Sequence, residues 1–453
     1  PHEHIIARSV VLSRISKMLM ACLPLVDFEG SDALGTSQVK ELRTLILKQD
    51  KTGLVARVLK LLKKTEIRRP SIKIDRTKAR WDSESDPTGE RSIFGQIYTS
   101  LGENATSPTI FRGADRWWTV TFTNEHVSDA GGGFRETVSN ISDDLNSTRT
   151  PLFIPVPNAT SEVGDIRDSW MPSPGCTNYA QYEFVGRLMA AAIQSDESIV
   201  LQFPPFVWKK IARFPVDSAE YIRSIDAYLS SYDAMLTMDD ETFEFSFDEL
   251  MFEAHLSDGS CRELMPGGST TAVTTANRAE YVERVVAARL GEIDRQCEAL
   301  RRGLLSACIP SQLLGLWTVD EFQRMVCGSP TIPSVPARPR CFCCAPADVA
   351  RFVRRVESLK KQTKFSGSGP EDMFWTVRLL PPARASLSAA AHLASSRRGV
   401  QVMSKFTDEE RGLVLKFSCG RARLPVRLSV SWNSGDDERC PSVRIPRPLR
   451  VWL

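Results

Sequence analysis

Histidine is scarce, with five in a chain of 453 residues. None stands in an HExxH pattern or beside a serine nucleophile elbow: His2 and His4 are terminal, and His126, His255 and His392 are isolated. Zinc-hydrolase and serine-hydrolase chemistries, which need an imidazole as ligand or base, are therefore excluded. Long apolar runs are missing too. Stretches such as Leu188 to Ile193 and Val285 to Leu290 end well short of the roughly 18 residues that span a bilayer, so no membrane partner is expected and the chain reads as soluble. No charged and then apolar leader opens the sequence, and the eleven cysteines follow no regular spacing. A secreted disulfide framework is not expected, and the thiols read as reduced and intracellular.

A surplus of one charge is also lacking. Lys plus Arg (58) against Asp plus Glu (55) leaves +3, too little for the phosphate-neutralising surface of a nucleic-acid binder. Cys341, Cys343 and Cys344 form a tight cluster, but a closed zinc site needs four ligands, usually as two spaced pairs. No metal and no cofactor are expected. Gly131, Gly132 and Gly133 precede no Gly-Lys-Ser/Thr, so they read as a tight strand-to-helix turn rather than a phosphate loop.

What remains has the composition of a globular protein, 42% apolar and 25% charged. Its length suits about three domains or one large bilobal unit. Apolar positions at helical spacing predict two or three amphipathic helices over 9–65, with the basic stretch Arg57 to Arg69 as a solvated face. Helices are predicted over Ile93–Leu101, Arg135–Leu145, Tyr179–Ser195, parts of Tyr221–Leu236, the whole of Asn277–Arg302, and Val319–Val326. Strands are predicted over Trp117–Phe122, Ile199–Phe206 and Thr242–Phe247, where Phe243, Phe245 and Phe247 alternate onto one face. A further strand pair over Met251–Leu264 turns at Ser257 to Ser260. Gly328 to Pro330 breaks the pattern and Thr331 to Arg340, with three prolines, reads as a linker. Beyond it, helices are predicted over Val349–Lys361 and Phe406–Phe417 and a strand over Arg427–Trp432. Residues 378–402 match neither neighbour and read as low complexity.

A collinear set of motifs carries more. Val120 to Leu145 (VTFTNEHVSDAGGGFRETVSNISDDL) resembles the hallmark of HECT-type ubiquitin ligases: a strand, an Asp-x-Gly-Gly turn and an Arg-Glu-led helix. PLFIPVPN from Pro151, YEFVGRLMAA from Tyr182, LQFPPFVWKKI from Leu201, ELMPGG from Glu263, NRAEYV from Asn277 and QCEALRRGL from Gln296 follow in the family's order. So do WTVDEFQRMVCG from Trp317, FTDEERGL from Phe406 and FSCGRARLP from Phe417. The chain is similar to the large members of the family that include the HECT-domain-containing protein 4 group.

The resemblance implies an α+β, bilobal HECT domain. Its mainly helical N-lobe would span 70–328 after a helical extension over 1–69, with a small conjugating-enzyme-binding subdomain near 212–290. A hinge over 329–340 would lead to a smaller, incomplete α/β C-lobe over 341–453 that carries the insert 378–402. It implies a transferase that takes ubiquitin from a ubiquitin-conjugating enzyme onto a cysteine thioester and passes it to lysines of protein substrates, in the cytoplasm and also the nucleus. Gly328 and Ser329 match the hinge. Tyr221, Ile225, Tyr281 and Val285 match the apolar lining of the conjugating-enzyme groove, although spacings of four on a helical face also describe core packing.

The sequence departs from the family at the nucleophile. Ile445-Pro446 aligns with the Leu-Pro that opens the active-site stretch, which puts Arg450 and Val451 where the Thr-Cys pair belongs. Cys440 is the thiol nearby and would serve only off-register. Joining Val377 to Met403 would give FWTVMSKFTDEER, an uninterrupted family helix, which suggests a retained insert and an altered frame after Pro446. The alternative is a catalytically inactive binding module of the same fold.

Overall fold

A computed structural model describes residues 2–23, 41–62, 69–80, 85–107, 109–112, 116–123, 132–195, 197–307 and 309–329. The chain divides between Gly328 and Ser329 into two units, and every described residue except Ser329 belongs to the first. Cys440, Val451, the 378–402 insert and the elements expected beyond 340 lie outside the described residues.

The described part is α+β and mostly helical. Helices α1 (His2–Cys22) and α2 (Lys48–Leu62) form the N-terminal extension. Strand β1 (Ser71–Ile74) then pairs in parallel with β2 (Thr119–Phe122), Ser71 opposite Thr119 and Ile74 opposite Phe122. Ile72, Ile74, Val120 and Phe122 turn inward, as the two-residue period of a strand requires. Helix α3 (Ile93–Leu101) starts where Ser92 accepts a hydrogen bond from Gly95 N, an N-cap that satisfies an otherwise orphaned donor. It is followed by α4 (Glu103–Thr106), α5 (Gly132–Leu145), β3 (Phe153–Pro155), α6 (Pro157–Ser161) and β4 (Trp170–Pro172). Strands β3 and β4 pair antiparallel.

The centre of the unit is the crossing of α7 (Tyr179–Gln194) and α13 (Asp294–Ser306). Helix α7 is apolar on nearly every side, and a helix with no polar face has to be central. Two glycines set the distance between the axes. A Cβ on Gly186 would lie 2.8 Å from Leu304 N, and one on Gly303 would lie 2.7 Å from the carbonyl carbon of Glu183. The two backbones touch where those side chains would be. Polar residues of the pair reach outward from this contact. Arg187 donates to Ala105 O at 3.1 Å and to Ser306 Oγ at 3.2 Å and pairs with Glu183 at 3.1 Å. Gln194 donates to Ala307 O at 2.8 Å and Arg301 to Ile211 O at 3.0 Å. These buried donors of Arg187, Gln194 and Arg301 each have an acceptor, as burial demands.

From α8 (Pro205–Ala212) the chain enters a separate cluster of short elements over 218–291. These are α9 (Ser218–Ser224), α10 (Tyr232–Thr237), α11 (Asp240–Ser246), the antiparallel pair β5 (Glu253–His255) and β6 (Cys261–Glu263), and α12 (Arg278–Gly291). After α13, α14 (Ser311–Leu316) and α15 (Val319–Cys327) complete the unit.

Three expectations are corrected here. Thr242–Phe247 belongs to helix α11 rather than a strand. Asp239 caps it, accepting from Thr242 N at 2.9 Å and Thr242 Oγ1 at 2.8 Å, and Asp240 and Glu241 sit in the first turn, where the dipole favours acids. In helical geometry Phe243 and Phe247 share a face, rings 5.2 Å apart, and Phe245 points the other way. Ile199–Phe206 forms no strand: its amides bond to Val326 O, Ser142 Oγ and Asn146 Oδ1, and Pro204 and Pro205 supply no donor for a ladder. Asn277–Arg302 is two helices, broken at Glu292 and Ile293. The Ile93–Leu101 helix and the hairpin turning at Ser257–Ser260 agree with expectation.

Asp144 of α5 is buried, accepting from Phe94 N at 3.0 Å and pairing with Arg149 at 3.3 Å. Burial pushes its carboxyl above the usual range despite those bonds. A raised carboxyl adds stability at low pH and loses it as pH climbs through the folded value. Parent chain should therefore lose stability relative to Asp144→Asn as pH rises from below 3.8, read from urea midpoints across a pH series. A difference that is flat, or slopes the other way, would contradict the assignment. For the crossing, Gly303→Ala should destabilise by about 3 kcal/mol or more, since overpacking a core costs roughly 1–3 kcal/mol even where side chains can yield. Gly291→Ala, whose Cβ would meet nothing closer than Asp294 at 3.5 Å, should be near neutral in the same titration, and equal effects would refute the close approach.

Candidate functional site

The 218–291 cluster is built around aromatic rings. Tyr281 of α12 lies 5.6 Å from Phe252 and 6.2 Å from Tyr232, and its hydroxyl donates to Glu253 O at 3.2 Å. Burial pushes that phenol up. Arg278 ties α12 to the helices beneath it, donating to Met238 O at 2.8 Å, pairing with Asp240 at 3.3 Å and lying 5.3 Å from the Phe243 ring. The Tyr221 ring lies tilted against that of Phe206, centroids 4.6 Å apart.

Tyr221, Ile225, Tyr281 and Val285 are all buried. The helical spacing does bring each pair to one face, but that face is the interior of the cluster, where the rings of Phe206, Tyr232 and Phe252 pack against the two tyrosines. In this structure the four belong to the core of the cluster. The surface carries other residues. Phe245 is 89% exposed, Tyr228 64% and Leu236 40%, unusual values for large apolar groups in one short segment. From Tyr232 to Glu253 there are eight carboxylates and no Lys or Arg. Thr242 holds the exposed Asp239 carboxyl below its ordinary range, and Ser269 does the same for Glu263. Composition already held this signal, but reading α11 as a strand put Phe245 on the same side as its buried neighbours.

At the root of the cluster three ionisable side chains are buried together. Arg289 Nη2 lies 2.6 Å from Asp226 Oδ2, its Nη1 donates to His255 O at 2.9 Å, and its Nε is 3.9 Å from Glu292 Oε2. Glu292 accepts from Ser257 N at 3.0 Å and from the Ser257 hydroxyl. Burial pushes both carboxyls up, against the pull of Arg289. Burial would lower Arg289, but Glu292, Tyr221 and Asp226 outweigh it and raise the guanidinium.

The second feature is the end of α15. A capping box between Thr318 and Glu321 opens the helix, and Glu321 also pairs with Lys51 of the N-terminal extension at 2.8 Å. The helix ends at Cys327, whose buried thiol accepts from Leu201 N at 3.4 Å and points back to Leu201 O at 3.6 Å. Gly328 follows at φ 73° and ψ 177°, a conformation that a Cβ makes costly. The expected hinge residue Gly328 thus stands where a firmly anchored helix stops, with Ser329 as the first residue of the second unit. Among the described residues no group of three or more His, Cys, Asp or Glu could hold a metal, and no helix is long and apolar enough to cross a membrane.

Comparison with known proteins gives the family. Residues 139–444 match the family described as HECT-domain (ubiquitin-transferase). The E3 ubiquitin-protein ligase HERC2 of Mus musculus is 28% identical over 441 residues, 93% of this chain and 8% of that protein. The E3 ubiquitin-protein ligase HUWE1 of Mus musculus is 29% identical over 229 residues, 47% of this chain and 5% of that protein. The Probable E3 ubiquitin-protein ligase HECTD4 of Homo sapiens is 22% identical over 361 residues, 73% and 8% respectively. The expected nearness to the HECT-domain-containing protein 4 group is therefore weak, with lower identity and coverage than to HERC2. The chain spans less than a tenth of the length of these relatives. With more than half of its residues matched from Ser139 onward, the chain belongs to the HECT-domain (ubiquitin-transferase) family.

Proposed function

We propose that this chain passes ubiquitin from a ubiquitin-conjugating enzyme, through a cysteine thioester, to lysines of protein substrates. The family match over 139–444 carries the reading. The chemistry suits a thiol, because thiol-to-thioester exchange is nearly isoenergetic and the thiolate is a strong nucleophile near neutral pH. Carrier and acceptor thiols must meet, so a pivot between the two units is needed, and Gly328 supports that role. The conjugating enzyme docks on the 218–291 cluster through the exposed Tyr228, Leu236 and Phe245, while Tyr221, Ile225, Tyr281 and Val285 hold that surface from beneath. Work in the cytoplasm and nucleus goes with chemistry that needs reduced thiols.

A second reading, an inactive module that still holds a conjugating enzyme or ubiquitin, is favoured by one observation: Arg450 and Val451 stand where the Thr-Cys pair would fall. Thioester capture separates the two. Incubated with activating enzyme, loaded conjugating enzyme and ubiquitin, a transferring chain forms a reductant-sensitive adduct. Loss of that adduct in Cys440→Ala would identify Cys440 as the nucleophile, and absence of any adduct, with conjugating enzyme still bound, would establish the inactive module. For docking, Phe245→Ala should weaken conjugating-enzyme binding by about tenfold, a loss of ~1.4 kcal/mol, with the thermal midpoint unchanged because the ring buries nothing. Unaltered affinity would move the docking surface elsewhere.

A further inference from the structure

We propose that Asp226, Arg289 and Glu292, with Ser257 and Asp258 of the adjoining hairpin turn, form a positioning latch that fixes the angle of the 218–291 cluster on the helical core. Resting on the docking reading above, the latch sets where a bound conjugating enzyme presents its thioester.

Withdrawing three ionisable groups from water is expensive, and packed apolar side chains of similar volume would hold such a joint at least as firmly. The upward shift of both carboxyls shows that burial outweighs the attraction of Arg289. Cohesion alone does not account for the cluster. What it supplies is direction: the two Nη groups of the planar guanidinium reach the His255 carbonyl and Asp226 together in one arrangement, while its buried Nε makes no hydrogen bond.

The partners come from each element that meets at the joint. Asp226 follows α9, His255 closes β5, and Glu292 occupies the break between α12 and α13, where it holds the Ser257 amide at 3.0 Å. The next residue of the turn, Asp258, seats on the core itself. Its carboxylate accepts from Ser260 N and Oγ and lies against the backbone of Gly175; burial would raise it, but Ser260 and the nearby Gly175 amide bring it below the ordinary value. A Cβ on Gly175 would lie 2.5 Å from Asp258 Oδ2, so the contact leaves no room for a side chain. Gln296, one turn beyond Glu292, binds the same core loop, donating to Pro174 O at 2.8 Å and to Ser173 O and Cys176 O at 3.2 Å. Hairpin turn, helix break and core loop are therefore fastened at one point, at the base of the cluster that carries Phe245.

The test uses the full chain with spin labels on noncanonical residues at Lys73 of β1 and Glu283 of α12, both exposed. Electron–electron distance measurements should give one narrow distribution in the parent, and a shifted or broadened one in Glu292→Gln and in Ser257→Ala. The second variant guards against loss of folding, because it keeps the backbone bond to Glu292. In parallel, affinity for a conjugating enzyme should stay within about twofold while discharge of its loaded ubiquitin slows by about tenfold, the size expected for a misplaced reactant. In the Ser257→Ala background, a Gly175→Cys and Asp258→Cys pair should restore discharge when oxidised and not when reduced. Parent-like distance distributions in both variants would overturn the latch, and so would discharge that falls only in proportion to affinity. A parent chain that neither binds nor discharges would remove the docking reading, and the distance measurement would still decide the latch.

Discussion

Backbone against backbone, α7 and α13 cross where no methyl group fits. Gly186 faces the last turns of α13 and Gly303 faces the Glu183 peptide, so each helix takes its place from the other's main chain. Dispersion contacts across so short a separation are numerous and individually weak, and their sum depends on both positions staying empty. From this contact the rest is fastened by polar arms: Arg187 to the end of α4, Arg301 to the end of α8, Gln194 to the residue after α13, Gln296 to the 173–176 loop. A shift of one helix would break several buried hydrogen bonds at once. That coupling makes the centre stiff, and a stiff centre is what lets two peripheral features be placed reliably.

Those features lie on different sides of the problem. The 218–291 cluster meets the core through directional polar bonds and a few rings, while α15 is tied by a capping box, by Lys51 and by the Cys327 thiol on Leu201. One is a surface whose orientation matters. The other is a fixed end from which chain leaves through a glycine. The bonding pattern puts rigidity on the near side of Gly328.

Much of this was legible from residue order, and the failures have identifiable physics. The Ile93–Leu101 helix and the Ser257–Ser260 turn were readable because local signals and tertiary packing agree there. Alternating Phe243, Phe245 and Phe247 misled, since capping by Asp239 and acids in the first turn outweighed a two-residue period only six residues long. The break at Glu292 has no Pro to announce it, only the Gly291 that ends α12; the bond that Glu292 accepts from Ser257, 35 positions earlier in sequence, leaves no local trace. Tyr221, Ile225, Tyr281 and Val285 were found as a set by motif, yet periodicity cannot say whether a shared apolar face looks inward or outward. The family itself was legible, because nine or more motifs in order carry information that no single helix does.

The buried charges at the root of the cluster bear on how such a surface can vary. Apolar packing tolerates substitution of similar volume and settles into slightly different arrangements, which would let the 218–291 cluster drift as its core residues change. A fork of hydrogen bonds tolerates less: Arg289 reaches Asp226 and the His255 carbonyl through its two Nη atoms, its Nε making no hydrogen bond, and losing either contact would leave a further buried group unpaired at a cost of several kcal/mol. Exposed residues such as Phe245 and the acidic run around it take no part in that arrangement. The exposed residues of the cluster and the buried charges at its root are thus separate sets, the first in water and the second sealed from it.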